Sequence, residues 1–334
     1  MLTLNPRDPA GPDVAGAVVA VGNFDGLHRG HQVLIATAAD EARRLRKPHG
    51  LLTFEPHPRS FFKPQEPVFR LTPLPLKQRL AKAMGVDFTA WLSFDAYLSA
   101  MSPEDFVLEH LVRRLKVSHV VTGYDFHFGK GRKGSPATLK EMGARHGFGV
   151  TIVEQVTDEG DGHAPFASTG IRDALRNGHV DAAARELGYD WIVMGEVVHG
   201  DKRGRTIGFP TANIILEPGA EPYRGIYAVE VRDAAAAPGT SAWKGAGYFG
   251  DRPTFNTDRT FLEVYLLGQD IDLYGRTLMV SFAGLIRGDK TFKSVSELID
   301  QMKADCEAAR ELLARHHERP PSFPLAVLQR EGKI

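Results

Sequence analysis

The sequence predicts two domains of different class: an α/β domain of Rossmann type built on a parallel sheet, then a six-stranded antiparallel β-barrel with a C-terminal helix. Three observations carry this. A length of 334 residues exceeds what a single hydrophobic core usually supports. Up to residue 188, short apolar runs alternate with helical patterns, as in a parallel sheet covered on both faces. Beyond it come six runs rich in β-branched and aromatic residues, parted by glycine, proline and aspartate turns, with no helix until residue 294. Closing such strands into a barrel removes their exposed edges. The domains are therefore set at 1–188 and 189–317, followed by a tail at 318–334.

In chain order, "AVVAVG" (17–22) reads as a buried strand and 31–46 as a helix with leucine, isoleucine and alanine at helical spacing. A strand at 50–55, a helix at 73–85 stopped by Gly85 and a strand at 87–94 follow. The helix at 102–115 carries its own start signals: Ser102 to cap, Pro103 at the first helical position and Asp105 in the first turn. Strands at 118–123 and 149–154 flank a helix at 135–147, and two short helices at 168–178 and 179–188 close the domain. In the second half the strands are "VMGEVVHG", "TANIILE", "GIYAVEV", "AWKGAGYFG", "TFLEVYLLG" and "TLMVSFAGLI". The last helix, 294–317, opens with a Ser294–Glu297 capping box, and the proline-broken tail after it is expected to be loosely ordered.

Composition excludes several classes. Lysine plus arginine equals aspartate plus glutamate at 41 each, so no net field draws nucleic acid or an anionic membrane. The single cysteine, Cys306, forms no intrachain disulfide, and the N-terminus lacks the apolar core of a signal peptide. No apolar run approaches the roughly 20 residues of a membrane span. A cytoplasmic protein is expected; self-association is left open.

The segment "GNFDGLHRGH" (22–31) joins the first strand to a helix N-terminus, where unpaired N–H groups and the helix dipole favour an anion such as phosphate. Gly22, Gly26 and Gly30 leave room for a ligand against the backbone, with Phe24 and Asp25 between them. His28 and His31 flank the terminus. Imidazole donors aimed at an α-phosphate would meet the charge that grows on its non-bridging oxygens, favouring the transition state over the ground state.

At this point the chain resembles the HxGH nucleotidyltransferases, and specifically the bacterial bifunctional riboflavin kinase/FAD synthetases. "GNFDGLHRGH" is similar to their first adenylyltransferase motif, "TFEPHP" (53–58) to the second, and "TGYDFHFGKGRKG" (122–134) to the flavin-side loop. "STGIR" (168–172) resembles the ISSTxIR motif that holds the nucleotide's outer phosphates. Two departures stand out. Phe166, Ala167 and Gly170 replace the isoleucine, first serine and variable arginine of that motif, and His127 stands where many relatives carry arginine. Ser168, Thr169 and Arg172 survive; the first two could equally cap the helix, and Arg172 offers a planar fork for phosphate oxygens. On the flavin side the resemblance implicates His57, Asp125, Phe128 and Arg132. His57, framed by two prolines, and Asp125, just past a strand end, also read as turn or cap residues.

In the second half, "HGDKRGRTIGFPTANI" (199–214) places basic residues beside a glycine-rich turn and then a strand. Phosphate binding needs only this loop, so Gly200, Lys202, Gly204 and Arg205 are nucleotide candidates. "GFPTAN" resembles the riboflavin kinase signature, which implies that Thr211 and Asn213 help hold Mg²⁺ and the ATP phosphates. Strand alternation puts Phe261, Glu263, Tyr265 and Leu267 on one face of "TFLEVYLLG". The resemblance assigns the matching glutamate, Glu263, to deprotonating the riboflavin 5′-hydroxyl; an exposed edge-strand glutamate is the plainer reading. "GYFGDRPTF" (247–255) and "LIRGDKTF" (285–292) match further kinase blocks, with Arg287 a flavin- or nucleotide-side residue.

The expectation is a two-step enzyme. The barrel moves the γ-phosphoryl of MgATP to riboflavin, giving FMN, and the N-terminal domain joins FMN to AMP from a second ATP, giving FAD and pyrophosphate. Two alternatives stay open: adenylylation of another phosphomonoester by the first domain, and a non-catalytic flavin-binding protein.

Overall fold

The computed structural model describes the whole chain except residues 6–7, 9, 158–165, 201–202, 251–260 and 319. It divides into two compact units. The first comprises Met1–Val68 and Lys77–Phe166, the second Phe69–Leu76 and Ala167–Ile334. The border expected at 188/189 lies downstream of this division.

The first unit is built on six strands: β1 (Leu2–Leu4), β2 (Val18–Val21), β3 (His49–Glu55), β4 (Phe88–Ser93), β5 (His119–Gly123) and β6 (Gly149–Val153). All pair in parallel, in the order β1-β4-β3-β2-β5-β6. Helices α1 (Arg29–Leu45), α2 (Pro58–Phe62), α3 (Leu74–Ala83), α4 (Ala96–Ala100), α5 (Pro103–Phe106) and α6 (Pro136–His146) accompany them, and α5 runs on as a π-helix, Val107–Arg114. The predicted start of α5 is present in detail, with the Ser102 hydroxyl accepting from the Asp105 N–H at 3.0 Å. β1 is an addition to the predicted set, an edge strand on β4.

Sheet order fixes where a ligand can sit. From β2 the chain winds outward to β3 and β4, then returns to place β5 on β2's other side. That reversal, beyond the strands' carboxyl ends, is the usual ligand position in open α/β sheets. The loops after β2 and β5, which carry "GNFDGLH" and "YDFHFG", both leave the sheet there.

The second unit opens with α7 (Ser168–Arg176) and α8 (Val180–Leu187). Its barrel comprises β7 (Ile192–Val198), β8 (Thr211–Ile215), β9 (Gly225–Asp233), β10 (Trp243–Phe249), β11 (Phe261–Leu266) and β12 (Thr277–Gly288), closed in the order β10-β11-β8-β7-β12-β9. A one-turn helix, α9 (Arg203–Thr206), precedes β8; α10 (Val295–Glu318) and α11 (Pro324–Arg330) end the chain. Leu262, Val264 and Leu266 point into the packed barrel, leaving Glu263 and Tyr265 outward as the alternation predicts. α10 lies on the outer face, where Ala309 and Leu313 pack on Ala228 and Ala283.

The tail corrects the expectation of loose order. Pro324 opens α11, Leu325 and Ile334 are buried, and the Gln329 side chain both accepts from Asp190 N–H at 2.9 Å and donates to Ser281 Oγ at 2.9 Å. Prolines broke the local helical pattern; long-range hydrogen bonds and burial order the segment nonetheless.

Candidate active sites

In the first unit the loop from Gly22 to His28 is sharply coiled: Phe24, Gly26 and Leu27 have φ of 49°, 89° and 43°. Glycine adopts such angles freely; Phe24 and Leu27 do so at a cost, and both are fully buried. The loop delivers His28 as the N-cap of α1, with His31 at its third residue. The two rings stack, centroids 3.7 Å apart and planes 25° from parallel, and the Phe24 ring lies 5.2 Å from that of His31. Gly30 gives the stack room, since a Cβ there would press on His28 Cε1 at 3.2 Å, closer than ordinary packing.

His31 is held neutral. Burial pushes its pKa well below the usual histidine value, and positive charge on His28 and Lys77 lowers it further. Its Nδ1 is buried without a hydrogen-bond partner among the described residues. A neutral imidazole still offers one N–H donor at a helix terminus that already favours anions. The first residue of α1, Arg29, lies 4.1 Å over the ring of Phe166, so the aromatic departure at 166 receives a cation.

The flavin-side residues are placed less uniformly. His57 caps α2, its Nδ1 accepting from Arg59 N–H at 3.2 Å, which realises the turn reading. Asp125 is exposed just past β5, and His127 Nδ1 lies 2.8 Å from the Asp125 carbonyl. Phe128 is buried against Phe106 and Phe126, and it pairs with Gly134 to close the loop. Arg132 is exposed, with φ of 57°.

The phosphate-motif residues head α7 in the second unit. The N-cap is Ala167, so neither Ser168 nor Thr169 takes the capping role. Glu186 from α8 serves the terminus instead, its carboxylate accepting from the Ala167 N–H. Burial raises the Glu186 pKa, against the pull of that hydrogen bond. Gly170 accommodates this carboxylate, which would lie 3.1 Å from a Cβ there. The departures at 167 and 170 therefore fit together: the residue that lost its hydroxyl is served from α8 through the space that glycine leaves. Arg172 is buried, and its Nε donates to the Phe69 carbonyl at 2.6 Å.

The barrel carries a cavity of about 330 Å³ between its outer face and the first half of α10. Thr211, Glu263, Tyr265 and Arg287 line it, so three predicted kinase residues converge. Asn213 sits directly opposite Glu263, and Thr211 opposite Tyr265, on paired strands β8 and β11. Asn213 is buried, its amide pressed so closely on Gly200 that a Cβ there would come within 2.3 Å. Gly204 is similarly enforced by the Phe209 carbonyl, 2.2 Å from where its Cβ would be. Arg205 is exposed on α9, and Lys202 lies outside the described residues.

Sequence reading missed the network that holds Arg287. Asp305 on α10 takes it in a two-point ion pair, Nε at 2.9 Å and Nη2 at 2.7 Å, and Gln301 Nε2 donates to the same carboxylate at 3.0 Å. It also missed Lys77, whose signal was present: it falls on the buried stripe of α3 with Leu76, Leu80 and Ala81.

Comparisons with known proteins agree with this layout. Residues 12–164 match the family model described as FAD synthetase, and 187–313 the one described as riboflavin kinase. The bifunctional riboflavin kinase/FMN adenylyltransferase of Escherichia coli K12 is 38% identical over 296 residues, covering 89% of this chain and 92% of that protein. The same-named protein of Pseudomonas fluorescens is 38% identical over 91% of this chain and 95% of its own length. A crystal structure of a protein described as a macrolide-efflux protein from Streptococcus pneumoniae superposes with a TM-score of 0.79 at 31% identity, covering 93% of this chain and 99% of that one. Among the described residues no helix is long and apolar enough to cross a membrane.

Proposed function

The chain belongs to the family of bifunctional riboflavin kinase/FMN adenylyltransferases, and from that premise we propose which residues carry each reaction. It converts riboflavin to FMN and FMN to FAD, with ATP as co-substrate in both steps.

The observation that carries the assignment of the first unit is the stacked His28–His31 pair at the head of α1. An oxygen of the FMN phosphate attacks the α-phosphorus of ATP, the bond to the β-phosphate bridging oxygen breaks, and pyrophosphate leaves. The nucleophile is already an anion, so no base is required; alignment and charge stabilisation suffice. His28 and His31 donate to the non-bridging α-phosphate oxygens, helped by the N–H groups of the α1 terminus. Gly22, Phe24, Asp25, Gly26 and Gly30 form the nucleotide cradle. Ser168, Thr169 and Arg172 take the outer phosphates, while His57, Asp125, Phe128 and Arg132 serve the flavin side.

In the barrel the attacking group is a neutral hydroxyl, and Glu263 removes its proton as the oxygen bonds to the γ-phosphorus and ADP departs. Thr211 and Asn213 supply hard oxygen donors two residues apart on one strand face, a set that fits Mg²⁺ retaining waters and phosphate oxygens. Bound there, the ion would neutralise charge on the β- and γ-phosphates. Gly200, Lys202, Gly204 and Arg205 line the phosphate approach, and Arg287 faces the flavin or nucleotide. The reading places the enzyme in the cytoplasm, where ATP is supplied.

The test is chromatographic: with riboflavin and MgATP, FMN should appear first and FAD later, and other phosphomonoesters offered in place of FMN should not be adenylylated. Adenylylation of one of them in preference to FMN would overturn the first-unit assignment.

A further inference from the structure

Lysine is almost never fully buried unless it is paired, yet Lys77 is only 5% exposed. Its Nζ donates to the Asn23 carbonyl at 2.8 Å and to Thr53 Oγ1 at 3.3 Å, and the Thr53 hydroxyl donates to the same carbonyl at 3.0 Å. Three elements thus close on one backbone oxygen: α3 through Lys77, β3 through Thr53 and the end of β2 through Asn23. Asn23 immediately precedes Phe24, the first of the loop's left-handed residues. At the loop's other end, Gln32 Nε2 donates to the carbonyl of Leu27, the last of them, at 3.0 Å. Left-handed backbone at bulky residues persists only where its surroundings over-determine it, and here side chains grip both ends of the coil.

We propose that Lys77 is a positioning residue for adenylyl transfer: by pinning Asn23 it fixes the loop that presents His28 and His31 to the α-phosphate. It acts through the loop and touches no substrate. The inference rests on the reading of this loop as the adenylyl-transfer site. Misplacing a catalytic group by about 1 Å can cost on the order of a hundredfold in rate, so a pin of this kind has leverage. The cation also bears on His31 electrostatically, which gives the assignment a spectroscopic signature.

The experiment is Lys77→Met in the full chain, assayed for both steps beside His28→Ala. The expected result is a kcat for FMN adenylylation lowered roughly tenfold to a hundredfold, as for a misplaced catalytic group, with KM for ATP and FMN nearly unchanged and the kinase step at its parental rate. By NMR, the His31 ring protons should titrate at higher pH once the neighbouring cation is gone. Thr53→Val, which removes one hydroxyl and keeps the cation, should lower the same kcat by a smaller factor. An unchanged adenylylation kcat in Lys77→Met overturns the proposal, as does a raised KM for ATP with kcat retained, which would make Lys77 a ligand contact. Should Lys77→Met fail to fold and lose both steps, Thr53→Val decides, and a parental kcat there overturns the proposal. If His28→Ala impairs adenylylation while Lys77→Met does not, only the role of Lys77 fails. If His28→Ala is equally silent, the reading of the loop itself fails.

Discussion

Glu263 and Asn213 stand directly opposite each other across the β8–β11 ladder. Directly opposed residues share a face of the sheet with Cβ atoms about 5 Å apart. The proposed base for the riboflavin hydroxyl and the proposed oxygen donor for Mg²⁺ are therefore neighbours by register alone, with Thr211 two residues along. Glu263→Gln keeps the shape and removes the base. Riboflavin phosphorylation should fall by about 10²–10⁴, the usual worth of a general base. Supplied FMN should still become FAD at the parental rate, measured by product chromatography.

Gly30→Ala separates activity from stability. The added methyl would lie 3.2 Å from His28 Cε1, so the ring must shift by a few tenths of an ångström against His31. Alanine is otherwise the better helix residue by about 1 kcal/mol. Adenylylation kcat should therefore drop at least tenfold, as for partial loss of one transition-state donor, while the melting temperature holds or rises.

His31→Ala should lower adenylylation by roughly 10²–10³ and leave FMN formation intact, as for loss of one preorganised donor. His31→Lys, which substitutes a cation for a neutral donor beside Lys77, should not restore the rate. Full restoration would mean that the site does not require a neutral imidazole there, since lysine supplies both charge and N–H donors.

His316 ties the end of α10 to the barrel through Asp190, at 2.9 Å. That hydrogen bond raises the His316 pKa above 6.5, with burial opposing. The folded state then holds the proton more tightly than the unfolded one. The resulting stabilisation is fully present below pH 6.5 and is lost as pH rises through the raised value. The melting temperature of Asp190→Asn should lie below the parent's in acid, with the gap closing at alkaline pH. A gap independent of pH would contradict the pairing.

Much of this was legible in the residues. Ser102 caps where its position before Pro103 and Asp105 says it should, and Ser294 accepts from Glu297 N–H at 3.1 Å. The second arm of that capping box differs, since the Glu297 carboxylate takes the N–H of Lys293. Alternation along β11 turned Glu263 outward, away from Leu262 and Val264. What escaped is set by distant partners. β1 is three residues long, too short for periodicity, and exists because β4 offers an edge. α11 depends on Gln329 reaching Asp190 and Ser281, more than forty positions away in each case. The positive φ of Phe24 and Leu27 has no compositional signal, whereas Lys77 carries one, a charge on the apolar stripe of α3.

The central claim is that one chain carries two separate chemistries, with the imidazole pair confined to the second reaction. The most direct measurement gives His28→Ala riboflavin and MgATP and follows the flavins by chromatography. The account predicts that FMN forms at the parental rate and accumulates, with FAD slowed by two to three orders of magnitude, the worth of one lost donor. FAD appearing at the parental rate, or FMN failing to form, would contradict it.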